Sequence, residues 1–241
     1  VLRPVPGEVT SGPGWHYDPR GWAVVDGPGA VVRGLFFHCT VTVTGSGATL
    51  AADRVEASGN RFGVSVRHAR NVTVEDTAIY SPFAGSMRLM AGVKDIYGDS
   101  AGLRVLRDNI WHTGTGVQVE QGLVEGNFIH AMGYRRGDHV NGITSNGGVT
   151  APLVIRHNTV LVDRGQTDAV GLFEDFGVQA NRVVEGNLLA GGGYAVYAGA
   201  SKGKPAPRNI TVTGNVISRL YFPLGGRYGA VTGLRRPAPS R

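Results

Sequence analysis

The chain has 241 residues, 41% apolar and 17% charged, with 38 glycines, a single cysteine and a formal net charge of +6. That length and apolar fraction allow a sizeable core and exclude a disordered protein, and the glycines, which keep no collagen period, stand among β-branched residues as turn formers. Three further features narrow the class: no apolar run approaches the roughly 18 residues of a membrane span, Cys39 has no internal partner, and the basic residues are thinly spread without interleaved aromatics. Neither a membrane nor a nucleic acid is therefore an expected partner, and Cys39 reads as a small buried apolar residue.

Residues 1–22, VLRPVPGEVTSGPGWHYDPRGW, carry two of the three tryptophans among Pro and Gly. The segment is expected to cap the structure that follows, with Trp15, Tyr17 and Trp22 covering an apolar cross-section or, alternatively, stacking on sugar rings. From Ala23 onward the pattern is two-residue alternation, as in Val64-Ser65-Val66 and Val117-Gln118-Val119, and no window of a dozen residues shows helical periodicity. An apolar marker recurs at Val25, Val43, Val64, Val93, Val117, Ile143, Val170 and Val196, at intervals of 18, 21, 29, 24, 26, 27 and 26. A second marker, opening a second strand, keeps step at Val32, Leu50, Val74, Leu106, Val124, Ile155, Val184 and Val212. A propeller blade needs about 40 residues, so units this short are read as turns of a parallel β-helix, stacked about 4.8 Å apart. The expected fold is all-β, a solenoid of about eight coils over residues 23–233, with residues 234–241 a disordered tail.

The first coils, AVVDGPGAVVRGLFF and VTVTGSGATLAADRV, leave no room for loops, whereas SPFAGSMRLMA, HAMGYRRGDHV and VDRGQTD are insertions. All three insertions lead into the first sheet, and loops gathered on one edge mark a working face. The motif V/L/I-x-x-N places Asn109, Asn127, Asn158, Asn187 and Asn215 at one bend, where asparagine tolerates a left-handed conformation and amides can stack up a ladder. Five equivalent active sites on one rod make no sense, so the column is read as structural.

The VEGN-type turns, the first-sheet strands and the lack of helices resemble the right-handed parallel β-helix superfamily of pectate-lyase-like lyases and polygalacturonase-like hydrolases. More narrowly, GVKDIYGD, GDHVNGITSNGG and GLFEDFGVQANRV are similar to secreted actinobacterial β-helix repeat proteins. The resemblance covers roughly residues 15–233. It implies a right-handed solenoid, a secreted protein and a polysaccharide partner, and Val1 is expected to be the start of a mature chain whose leader was removed. No intact pectate lyase signature and no polygalacturonase carboxylate motif is present, so the resemblance assigns no catalytic residue.

Candidate chemistry comes instead from the two-residue period, which sends Ser65, Lys94, Gln118, Thr144, Gly171 and Tyr197 outward from the first sheet, with Arg67, Glu120 and Asn146 beyond them. His139, Asn141 and Asp168 lead in from the other side, and Glu174 and Asp175 follow. The column Gly63, Gly92, Gly116, Gly142, Ala169 and Ala195 is either a furrow along the rod or a corner too tight for side chains. For β-elimination on a uronic acid polymer, Lys94 or His139 would take the proton, with Arg67, Asn141 or Gln118 holding the carboxylate. For hydrolysis, Glu120 and Asp168 would flank the bond, with Glu174 or Asp175 shortening the gap. The expected activity is that of a polysaccharide lyase, with a glycoside hydrolase or a non-catalytic carbohydrate-binding rod as alternatives. No cofactor is certain; calcium at Asp95, Asp99 or the Glu174-Asp175 pair is possible in principle, since it seeks several oxygens.

Overall fold

A computed structural model describes residues 1–234. Among them no residue is helical, and the strands form three sheets of eleven, eight and nine strands. Each full coil gives one short strand to each sheet: Asn141–Ser145 to the first, Leu153–Arg156 to the second and Thr159–Val162 to the third. Successive coils pair in parallel, and the whole is a right-handed β-helix of about eight turns. The alternation explains its interior: Val93, Val117, Ile143, Val170 and Val196 pair in sequence up the first sheet, and all are fully buried.

Two markers shift on stacking. Val64 pairs with Val41 rather than Val43, a two-residue slip that leaves the faces unchanged. On the second sheet Val74 pairs with Val105, not Leu106, a slip of one. The same slip removes Asn109 from the polar column, where Asp108 takes its place; Asn109 lies on the outer face and its Oδ1 meets His130 Nε2 at 2.9 Å. In that register, the third residue after each second-sheet marker closes the corner between second and third sheets.

That corner column runs through Asp53, Thr77, Asp108, Asn127, Asn158, Asn187 and Asn215. Asn158 shows the unit. Its Oδ1 accepts from Asn127 N and Nδ2, at 3.0 and 2.9 Å, while its own Nδ2 donates to Asn187 Oδ1 and to the Val124 carbonyl, at 2.9 and 3.0 Å. The left-handed conformation falls on the residue before the column and not on the asparagine itself: Gly126, Gly186 and Gly214 have φ of 71°, 62° and 62°. Glycine adopts this without strain, and the side chains of Ala52, Asp76, Arg107 and His157 accept it at about 1 kcal/mol each.

The column continues into the first coils with acids in place of amides. Thr77 N donates to Asp108 Oδ1 at 2.8 Å and Leu35 N to Asp53 Oδ1 at 2.8 Å, but Oδ2 of each is buried without a partner. Burial pushes Asp53 up to about 6 and Asp108 well above the usual carboxylate range.

The glycine column makes no furrow. A Cβ added to Gly92 would lie 2.6 Å from Ile110 Cγ2, and one added to Gly116 2.6 Å from Ile129 Cγ2, both buried third-sheet residues. These glycines face the interior at a narrow corner, so any groove on the first sheet is built by outward side chains.

At the N-terminal end, Arg3–Val5 pairs with Leu35–Phe37 on the third sheet, and Trp15–Asp18 pairs antiparallel with Trp22–Val25 on the first. Trp15 is buried edge-on against Phe37, with ring centroids 5.7 Å apart, whereas Trp22 lies partly exposed beneath the Arg20 guanidinium. The expectation for the tail beyond Leu234 lies outside the described residues.

Candidate functional site

The outward column of the first sheet assembles as its period requires. Thr42, Ser65, Lys94, Gln118, Thr144, Gly171 and Tyr197 are paired one to the next, so residues two dozen apart in sequence share one wall. The three insertions all join third-sheet strands to first-sheet strands and so rim this face on one side. Arg88 in the first insertion binds Asp138 in the second through Nε and Nη2, at 2.7 and 2.6 Å. That buried pair fixes the loop whose next residue is His139.

Three cavities follow one another along this wall. The first, about 450 Å³, is lined by Thr42 and Ser65 with Arg61, Arg67, Trp22 and Phe62. The second, about 510 Å³, holds Lys94, Tyr97, Gln118 and Glu120. The third, about 450 Å³, holds Gln118, His139, Asn141, Thr144, Asn146 and Asp175. Gln118 belongs to the second and third, and Arg67 Nη1 reaches Tyr97 Oη at 3.3 Å to link the first and second. The cavities are thus stretches of one groove.

At its middle, Lys94 Nζ donates to Gln118 Oε1 at 2.6 Å. Burial lowers the Lys94 pKa, opposed by the nearby charges of Glu120 and Asp95. A partly desolvated lysine is easier to deprotonate, which is what a base needs.

Glu120 is differently placed from what hydrolysis requires. It is 5% exposed, and its oxygens accept from Ser145 Oγ at 2.7 Å, Asn146 N at 2.9 Å and Gly147 N at 2.9 Å. It fixes the 145–147 turn and is a positioning residue. Glu174 is buried with both oxygens unpartnered and lies outside the three cavities. Asp168 sits one coil beyond Asn141, as Val170 pairs with Ile143; its Oδ1 accepts from Tyr194 N at 3.0 Å and burial pushes it up to about 7. Tyr197 leans on Phe173 at 5.4 Å between centroids and so backs the third cavity.

Of the oxygens suggested for calcium, one on Asp95 and one on Asp99 are bonded within the protein, whereas Asp95 Oδ1 and both Glu174 oxygens are buried without a partner. Asp95 Oδ2 accepts from Ser100 N at 3.1 Å, and Asp99 Oδ2 pairs with His68 Nδ1 at 2.6 Å. Among the described residues no three His, Cys, Asp or Glu side chains stand together as a metal site.

Residues unforeseen from the pattern complete the site. Thr115, Thr167 and Phe173 line the third cavity. Beneath it, Gln179 Nε2 meets Ser145 Oγ at 3.1 Å, and Gln179 Oε1 accepts from Arg182 Nε at 2.7 Å. Arg182 is fully buried, its other nitrogens donating to the Val149 and Ala151 carbonyls. Its signal was present: Arg182 has the parity of the inward Val184. Thr115 pairs with Asn141 and would have emerged by carrying the register of Asn141 one coil back. Comparisons with protein-family models, with curated proteins and with solved structures found no match.

Proposed function

We propose that this β-helix is a secreted polysaccharide lyase that binds an acidic polysaccharide along the outer face of its first sheet and cleaves it by β-elimination at Lys94. The observation that carries the reading is the groove itself, with a partly desolvated lysine at its centre and two guanidiniums beside it. Among the described residues neither Arg61 nor Arg67 meets a carboxylate. The likeness to pectate-lyase-like β-helices supports the same class.

In the proposed step, uncharged Lys94 takes the proton from the carbon next to the uronate carboxylate. The C–H electron pair becomes the new carbon–carbon double bond, the glycosidic C–O bond breaks, and the departing oxygen receives a proton from the lysine ammonium or from water. Negative charge develops on the carboxylate as the C–H bond breaks; in this reading the Gln118 amide, which lines the same cavity as Lys94, and Arg67 in the adjoining one offset it. Elimination is favoured over hydrolysis because Glu120, one of the two carboxyls hydrolysis would use, is bound to its own turn.

The test is incubation with a panel of acidic polysaccharides, following the ultraviolet absorbance of unsaturated ends together with new reducing ends. Lys94→Ala is expected to lower turnover by about 10²–10⁴-fold, the usual contribution of a general base. Reducing ends without unsaturation would mean hydrolysis, and retention in an affinity gel with neither would mean a binding rod. Turnover that survives both Lys94→Ala and His139→Ala would place the chemistry elsewhere.

A further inference from the structure

The two ends of the rod are finished differently. At the N-terminal end Trp15–Asp18 folds back antiparallel on Trp22–Val25, and the inward residues Val5, Trp15 and Val25 are buried. At the C-terminal end the last coil has no such cover among the described residues. Its three strands, Arg208–Thr213, Val216–Ser218 and Gly229–Thr232, each stand last in their sheet and pair on one side only. Their inward residues Val212, Ile217 and Val231 pair with Val184, Leu189 and Val196, which are fully buried. The last three are not: Val212 and Ile217 are partly exposed and Val231 is 38% exposed. The apolar cross-section is therefore open to water, and Leu220, Leu224 and Tyr228 of the same coil are exposed as well.

The charge of this end is one-sided. From Gly186 to Leu234 the chain contains Lys202, Lys204, Arg208, Arg219 and Arg227 but no aspartate or glutamate. All five cations are exposed, and among the described residues none is paired with a carboxylate. Acids return only in earlier coils: Glu185 stands one coil back from Thr213 on the outer face, and Asp163, beside Tyr221, is paired with Arg164.

These features narrow what could cover the end. A second copy docked end to end would bring two sets of five cations together, and one docked head to tail would meet an interior already closed by Trp15. A lipid surface would suit the cations and apolar side chains but offers no ordered hydrogen bonds for open strand edges. An extended acidic polypeptide offers both, since its backbone pairs with an edge while its carboxylates meet the cations. The edge it fits best is Arg208–Thr213, the longest of the three, which contains Arg208 and is entered through the loop carrying Lys202 and Lys204.

We propose that the C-terminal end of the rod is an interaction surface for an acidic polypeptide segment, which adds a strand to Arg208–Thr213 and lays its apolar side chains over the open core as a further coil would. The probe is a fluorescent peptide of about ten residues alternating glutamate with valine, followed by anisotropy with the full chain. It is expected to bind about tenfold or more tightly than the same peptide with lysine for glutamate, or than an acidic version with proline at alternate valines. Arg208→Glu, an exposed change, is expected to weaken it by about fivefold or more, and the bound peptide to slow amide hydrogen exchange within Arg208–Thr213. Equal binding of the proline version would mean that charge alone is read, and protection confined to the first-sheet groove would place the peptide there; either overturns the proposal. So does failure to bind the peptide, whether the chain instead binds phosphatidylglycerol vesicles, sediments as a dimer or does neither.

Discussion

Two corners of the coil bury polar side chains, and they differ in how fully those side chains satisfy one another. Between second and third sheets the asparagines close on themselves: each amide of Asn127, Asn158 and Asn187 is bonded to the next coil and to a backbone carbonyl. Between first and second sheets, Glu120, Ser145, Gln179 and Arg182 form a network that supports the groove from below, while Asn141 and Thr144 above it keep atoms unpaired. A column that consumes its own hydrogen bonds holds a fold together. One that leaves buried atoms unpaired gives back part of what its other hydrogen bonds contribute.

The strongest way to break the comparison is Asn158→Leu. It strips partners from Asn127 N and Nδ2 and from Asn187 Oδ1, all in the core, and is expected to lower unfolding free energy by about 4 kcal/mol, read from the denaturant midpoint. No measurable loss would mean that the column is not what holds the coils. Glu120→Gln puts an NH₂ where backbone donors now point, and should cost about 1–3 kcal/mol. It should also weaken carbohydrate binding by the still-folded protein, which Asn158→Leu should not; equal binding by both would erase the distinction between the corners.

The first coils sharpen the comparison, because there the ladder has acids. In Asn127 the Nδ2 donates to the Val105 carbonyl at 2.9 Å; in Asp108 the matching position is an oxygen without a partner. Asp108→Asn is therefore expected to stabilise the protein at neutral pH by about 1–2 kcal/mol. The sign of the pH dependence follows. Asp53 rises from 3.8 to about 6 and Asp168 from 3.8 to about 7, both through burial, so the folded state holds protons that the unfolded chain has already released. Their contribution is complete below about pH 4 and is lost as pH rises through 6 and 7. Thermal melts should fall across that window, and Asp53→Asn should flatten the lower part of the fall. A melting temperature that rises with pH there would contradict the burial of these acids.

Much of this was legible before any coordinates. Alternation and the repeat determined that Ser65, Lys94, Gln118 and Thr144 share an outer wall, because the side-chain period of a strand is two and even the two-residue slip at Val43 preserves it. Insertion lengths determined which edge carries the loops. Tertiary structure alone decided the rest. The slip from Leu106 to Val105 depends on how each coil turns its corner, and it exchanges Asn109 for Asp108 in the column. Which way the glycine column faces depends on the bulk of Ile110 and Ile129 across the core. Whether Glu120 is a free carboxylate or a bound one depends on a turn 25 residues downstream folding over it. A local pattern can say which side of a strand a residue takes; what waits for it there is set by chain that lies far away in sequence.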